Sequence, residues 1–228
     1  MMNEVSRNKT VEMEMGRSKP TKMTQEKIVI YAARFVSLLF TPFYLPLFGV
    51  IILFTLSYLA LLPINYRLQV VAIVYLFTIL MPTLFIHFYR RYQGWNLVEL
   101  GKRERRMVPY IISILCYFAC AWLLSWLNVF HIVISILMTA LIVQVVCAII
   151  NAWWKISTHT AAIGGVAGAL FAFAEFFGFN PLWWFCLVLI VAGILGSARI
   201  ILRQHTLEQV VVGFGVGMVC ACLGILFL

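Results

Sequence analysis

Three short stretches of this chain hold residues whose types and spacing could do chemistry. They are Gly101-Lys102-Arg103-Glu104-Arg105-Arg106-Met107-Val108-Pro109, then Lys155-Ile156-Ser157-Thr158-His159-Thr160, and then Ala198 to Gln209, which carries Arg199, Arg203, His205 and Glu208. Between Met107 and Leu228 the only charged residues are Lys155, Glu175, Arg199, Arg203 and Glu208. Ionisable groups in so apolar a setting are costly to place and are functional candidates for that reason. Two histidines with several cations make an anion site, and the chemistry that fits is phosphoryl transfer without a metal. Arg and Lys would bind the non-bridging oxygens, bidentately where Arg is used. One histidine would attack phosphorus while the other protonates the leaving oxygen.

The elements that must position these groups are membrane helices. The 228 residues are 64% hydrophobic and 11% charged, with a mean hydropathy of +1.00. A soluble domain is about half apolar and about a quarter charged. A chain this poor in charge has lipid as its solvent. The net charge is +9, and ten of the 17 Lys and Arg residues lie in the N-terminal tail and in the 101–109 stretch. That distribution suits a membrane surface or a phosphate ligand and not a nucleic acid. All eight acidic residues are Glu, which excludes Asp-rich magnesium motifs and phospho-aspartate chemistry. The six cysteines, Cys116, Cys120, Cys147, Cys186, Cys220 and Cys222, all lie in apolar runs. They read as small helix side chains, without the spacing of a metal knuckle or a disulfide framework.

Residues 1–27 are polar and basic and read as a disordered or surface-lying tail without a cleavable leader. Residues 28–228 read as one domain, an all-α polytopic transmembrane helix bundle. Pro42 and Pro46 interrupt its first apolar stretch, which predicts a short interfacial helix over 28–41 carrying Arg34 and one span over 45–62. Further spans are expected at 68–88, 108–127, 130–151, 160–178, 182–202 and 208–228, giving seven, with six as the alternative. Two spans separate the first polar stretch from the second, and two more separate the second from the third. An even number of crossings returns the chain to the same side, so all three stretches meet on one membrane face. Ser157 or Thr158 is expected to cap a helix there, whose N-terminus would add N–H donors for an anion. The small residues from Ala161 to Ala169 are explained by close helix packing. Trp153-Trp154 and Trp183-Trp184 read as interfacial belts. His87 and His131 fit no pattern and read as interfacial side chains, and Glu175, about 24 Å along a helix from His159, belongs near the opposite face.

These stretches resemble the three signature motifs of the type 2 phosphatidic acid phosphatase superfamily, the membrane lipid phosphatases, whose patterns are KxxxxxxRP, PSGH and SRxxxxxHxxxD. The resemblance covers about Lys102 to Gly217, and the third motif matches best, with Arg199, five residues, then His205. It implies hydrolysis of a phosphate monoester or diphosphate on a lipid, without a cofactor. His205 would form a phosphohistidine and His159 would be the general acid. Ser157 and Arg199 would hold the phosphate together with cations of the first motif, here Lys102, Arg103 and Arg106 by region and not by register. The implied partners are a lipid phosphate (phosphatidate, phosphatidylglycerol phosphate or a polyprenyl diphosphate) and the bilayer, in a multi-pass protein of a bacterial cytoplasmic membrane.

The chain departs from those patterns at several positions. Ile156 stands for Pro, Thr158 for Gly and Ala198 for Ser, and no Lys lies seven residues before an Arg-Pro pair. The orienting Asp corresponds to Gln209, one residue after Glu208. Residues three and four beyond His205 on a helix share its face, so Glu208 and Gln209 are both within reach of the imidazole. The family position favours Gln209, with Glu208 toward the helix edge. The other function class open to such a sequence is a non-catalytic binder or transporter of lipid phosphates. A transporter would carry polar residues near the midplane, whereas these cluster at one end.

Overall fold

A computed structural model describes residues 20–94 and 107–227, with side chains from Lys27 onward. The described residues form helices joined by short turns, with no strand among them. In order these are α1 (Pro20–Leu39), α2 (Tyr44–Leu56), a 3-10 turn (Tyr58–Leu61), α3 (Ile64–Tyr75), a π turn (Leu76–Leu80), α4 (Met81–Tyr92), α5 (Met107–Trp126), α6 (His131–Trp153), α7 (Thr158–Phe177), α8 (Leu182–Ile201) and α9 (Leu207–Phe227).

Six helices are long and apolar enough to cross a membrane, with α3, the π turn and α4 acting as one span of 29 residues. At 1.5 Å per residue, the 23 residues of α6 reach about 34 Å, enough for a hydrocarbon core roughly 30 Å thick. In no span is more than 44% of the most apolar window buried inside the bundle. The remaining apolar surface, including Trp122, Ile190 and Val211, faces outward. An outward face of that kind belongs in lipid. The chain is therefore a polytopic α-helical membrane protein of six to seven spans.

The turns follow from local chemistry. Asn128 (φ 52°) and Gly178 (φ 63°) take the left-handed conformation that ends α5 and α7, a geometry glycine adopts without a Cβ penalty. Asn180 Oδ1 accepts the Leu182 N–H at 2.9 Å and starts α8. Pro82 lies inside a span where it cannot donate to the preceding turn. The π turn directly before it absorbs the mismatch.

Three differences from the sequence expectation concern the first half. Helix α1, expected over 28–41, begins at Pro20, inside the segment read as a disordered or surface-lying tail; residues 1–19 lie outside the described region. The expected span over 45–62 is the 13-residue α2 followed by a 3-10 turn, because the Ser57 side chain donates to Leu53 O in the helix's last turn at 2.6 Å and caps the new turn. The expected span over 68–88 starts earlier, at Ile64, directly after Pro63.

Two contacts orient these pieces. Ser37 on α1 meets Arg199 at the end of α8, while Tyr58 meets Phe177 at the opposite end of α7, with ring centroids 6.1 Å apart. Helix α2 and its 3-10 turn thus run from one end of the bundle to the other, and α1 bends away from α2 by 59° at the first end. That first end, where α6 finishes and α7 and α9 begin, holds the polar stretches.

The tightest packing in the bundle is between α7 and α9. A Cβ added at Gly164, Gly168 or Gly217 would overlap the facing carbonyl of Phe214, Met218 or Ala161 respectively. Only glycine lets the two backbones approach this closely.

Candidate active site

The site is built on the N-termini of α7 and α9. Ser157 is fully buried and is the N-cap of α7, its Oγ accepting the Thr160 N–H at 3.5 Å. Its backbone N–H donates to the carbonyl of Gln209 at 3.3 Å. This hydrogen bond joins the second polar stretch directly to the third. Gly213, one turn further along α9, makes the approach possible: a Cβ there would sit 2.6 Å from Thr160 Oγ1 and 2.7 Å from Ser157 O. Because the Ser157 hydroxyl accepts from a backbone N–H, its own proton is left to donate.

Helix α9 starts with a capping box. Thr206 Oγ1 accepts the Gln209 N–H at 3.4 Å, and Gln209 Oε1 accepts the Thr206 N–H at 3.3 Å. The same Gln209 Oε1 lies 3.0 Å from His205 Nδ1. A backbone N–H can only donate, so Oε1 is the oxygen of the amide and acts as an acceptor. Nδ1 of His205 must then be the donor, which leaves the lone pair of the neutral ring on Nε2. His205 is 7% exposed, so the tautomer is set in a largely dry environment. Glu208 is exposed on the first turn of α9, where a carboxylate complements the helix dipole. It is Gln209 that reaches the imidazole.

Arg199 is equally buried, at 7% exposure. It lies in the last turn of α8, and the chain folds back immediately, with Gln204 N–H donating to Arg199 O at 3.1 Å. Arg203 takes a left-handed φ of 53° in that turn and is exposed. Arg199 Nη1 donates to Ser37 Oγ at 2.6 Å, and Ser37 is itself buried on α1. The sequence reading missed Ser37, a partner 162 positions away. Its one signal was the pair Ala33 and Ser37, small residues four apart on a helix whose other apolar residues are mostly bulky, and both are buried.

His159, the second residue of α7, is half-buried and lines a large cavity that Pro109, Tyr110 and Cys147 also border. Lys102, Arg103 and Arg106 lie outside the described residues. Met107, the next residue after them, is within 3.7 Å of Asn151 Nδ2 at the end of α6, and Tyr110 packs with Cys147, Ile156 and Ala161. The start of α5 is therefore at the same end of the bundle as Ser157 and Gln209. Among the described residues no three His, Cys or Glu side chains gather as a metal site would require.

No protein-family model, curated protein or solved structure matches the chain. What the arrangement can do is argued from its geometry. Two helix N-termini, with their partial positive charge and N–H donors, lie at the same end of the bundle as a buried guanidinium, a serine hydroxyl with a proton to give, and an imidazole whose Nδ1 is bound to Gln209. A phosphoryl group suits that combination.

Proposed function

We propose that the protein is an integral-membrane lipid phosphatase that hydrolyses a phosphate monoester or diphosphate on a lipid through a phosphohistidine. The observation that carries the reading is the Gln209–His205 hydrogen bond, which in the neutral ring leaves the lone pair of a buried imidazole on Nε2, while the backbone carbonyl of Gln209 accepts from the Ser157 N–H at the cap of α7. In the first step Nε2 attacks phosphorus, the P–N bond forms as the bond to the lipid oxygen breaks, and His159 gives its proton to the departing alkoxide. In the second step His159 takes a proton from water, which attacks phosphorus, and the P–N electrons return to His205. Arg199, Ser157 and the cations Lys102, Arg103 and Arg106 would neutralise the phosphoryl oxygens, as the resemblance to type 2 phosphatidic acid phosphatases implies. In a bacterial cytoplasmic membrane the basic segments would orient this end toward the cytoplasm.

The test is phosphate release by the purified protein from a panel of lipid phosphates in EDTA. Wild type should release phosphate, His205→Ala should not, and an acid-labile phosphoryl-enzyme should be trapped in wild type alone. An absolute magnesium requirement, or full activity in His205→Ala, would overturn the mechanism. Tight binding of lipid phosphate without release would make the protein a binder.

A further inference from the structure

Helix α4 ends in a cluster of side chains that the proposed mechanism does not use. His87, Arg90, Arg91 and Gly94 surround a pocket of about 280 Å³. None of the four borders the cavity that reaches His159, but Ile86, directly before His87, does. The pocket is therefore separate from that cavity and stands beside it at the polar end of the bundle. Arg90 Nη2 lies 3.4 Å from His87 Nδ1. A guanidinium can only donate, so Nδ1 accepts and the proton of the ring is on Nε2. The polar side-chain groups left to face a ligand here are then all N–H donors: Nε2 of His87 and the remaining guanidinium nitrogens of Arg90 and Arg91.

Two ordinary uses of such cations do not account for them. Arginines in a last turn can serve the final carbonyls of a helix. Here Gln93 N–H already donates to Tyr89 O at 3.0 Å and Gly94 N–H to Arg91 O at 3.2 Å, with Gly94 closing the helix at a φ of 68°. Cations can also pair with carboxylates. The acidic residues with described side chains are Glu175, at the far end of α7, and Glu208, on α9, and neither forms an ion pair with Arg90 or Arg91. Depth then indicates which anion is near. The span begins at Ile64, and His87 lies about 34 Å further along it at 1.5 Å per residue. That is at or just past the edge of a hydrocarbon core roughly 30 Å thick, at the level of lipid headgroups. On the same helix Leu84, Phe85 and Phe88 are exposed, an apolar surface for the chains of a lipid whose head is in the pocket. Phosphate is the anion that this layer supplies, and planar guanidinium groups suit its oxygens.

We infer that His87, Arg90 and Arg91 form a second phosphate site, distinct from the proposed catalytic one, whose depth suits the headgroup of an anionic lipid held beside the cavity. Such a site is independent of whether the protein hydrolyses any lipid. The same donors would accept free phosphate, and the experiment separates the two sources. Native mass spectrometry of the purified full chain counts bound dioleoyl phosphatidylglycerol and dioleoyl phosphatidylcholine as each is titrated. Wild type should retain phosphatidylglycerol in preference to phosphatidylcholine, whose choline would meet the arginines. Arg90→Gln and Arg91→Gln should each weaken phosphatidylglycerol binding about tenfold, the lower end of the worth of a hydrogen bond to a charged group. Each variant is first checked by thermal unfolding, and whichever matches wild type is used. Arg34→Gln removes the same charge from an exposed position on α1 and should leave binding unchanged. Retention of phosphatidylglycerol in excess inorganic phosphate makes the lipid headgroup the ligand. Displacement by inorganic phosphate in wild type keeps the site and makes free phosphate its ligand. Equal losses in Arg34→Gln and the pocket variants, as net charge alone would produce, overturn the inference, and so does equal retention of the two lipids by wild type.

Discussion

Replacing Gln209 by Leu removes the acceptor of the 3.0 Å bond from His205 Nδ1. With the imidazole neutral, that bond contributes little beyond orientation. As Nε2 forms its bond to phosphorus the ring becomes cationic and the same bond becomes charge-assisted, worth about 1.5–3 kcal/mol. At 1.36 kcal/mol per tenfold, turnover should fall by about 10- to 100-fold, with a smaller change in KM. Leu also breaks the capping box at Thr206, which costs about 1 kcal/mol of stability. Thr206→Ala provides the control. It removes the other half of the box but leaves the His205 partner, so it should lower the unfolding temperature without a comparable loss of turnover. Gln209→Asp should retain or raise activity by placing a carboxylate against the forming cation. Glu208→Gln, on an exposed side chain, should cost less than Gln209→Leu. The assay is phosphate release under single-turnover conditions, which isolates the first chemical step. A greater loss in Glu208→Gln than in Gln209→Leu would show that Glu208 orients the nucleophile and would refute this reasoning.

Three further outcomes are expected. His159→Ala should depress turnover strongly on lipid alcohol substrates and much less on p-nitrophenyl phosphate, whose leaving group needs no proton; equal losses on both would remove His159 as the acid. Ser37→Ala should weaken competitive inhibition by vanadate about tenfold, the lower end of the worth of one hydrogen bond to a charged group, and Ser37→Thr should restore it; an unchanged inhibition constant would mean that Arg199 needs no help from α1. Gly217→Leu should prevent stable assembly, because a Cβ there already overlaps the Ala161 carbonyl, whereas Gly215→Ala, with nothing within 4 Å, should behave as wild type; thermal unfolding in detergent compares the two.

The spans from α5 onward were legible to within a residue or two because lipid imposes a length and leaves nothing else to read. The first half was harder for a physical reason. Pro42, Pro46 and Ser57 break the apolar run at points where hydropathy stays high, so composition cannot tell one long crossing from a short helix and a cap. The π turn at Leu76–Leu80 was similarly hidden, since Pro82 announces a distortion but not its form. At the candidate site, residues near in sequence were readable from spacing: Gln209 lies one helical turn from His205 and reaches its imidazole. The α7–α9 contact was visible as a run of small residues, although which helix faced which was not. Ser37 was out of reach, because an ordinary serine on a helix edge acquires its role only from what packs on it, and the His159 cavity is a property of seven helices together.

The glycine contact between α7 and α9 has a consequence for biosynthesis. The helix inserted between them in sequence, α8, is looped aside, so the two halves of the site arrive at the membrane at different times. A nascent chain that has threaded α7 and α8 carries Ser157, His159 and Arg199 but nothing for the Ser157 N–H to meet. Until α9 enters and zips onto α7, the buried polar end is an open socket in the bilayer, and a chaperone or insertase holding α7 apart from lipid would have a defined moment at which to let go.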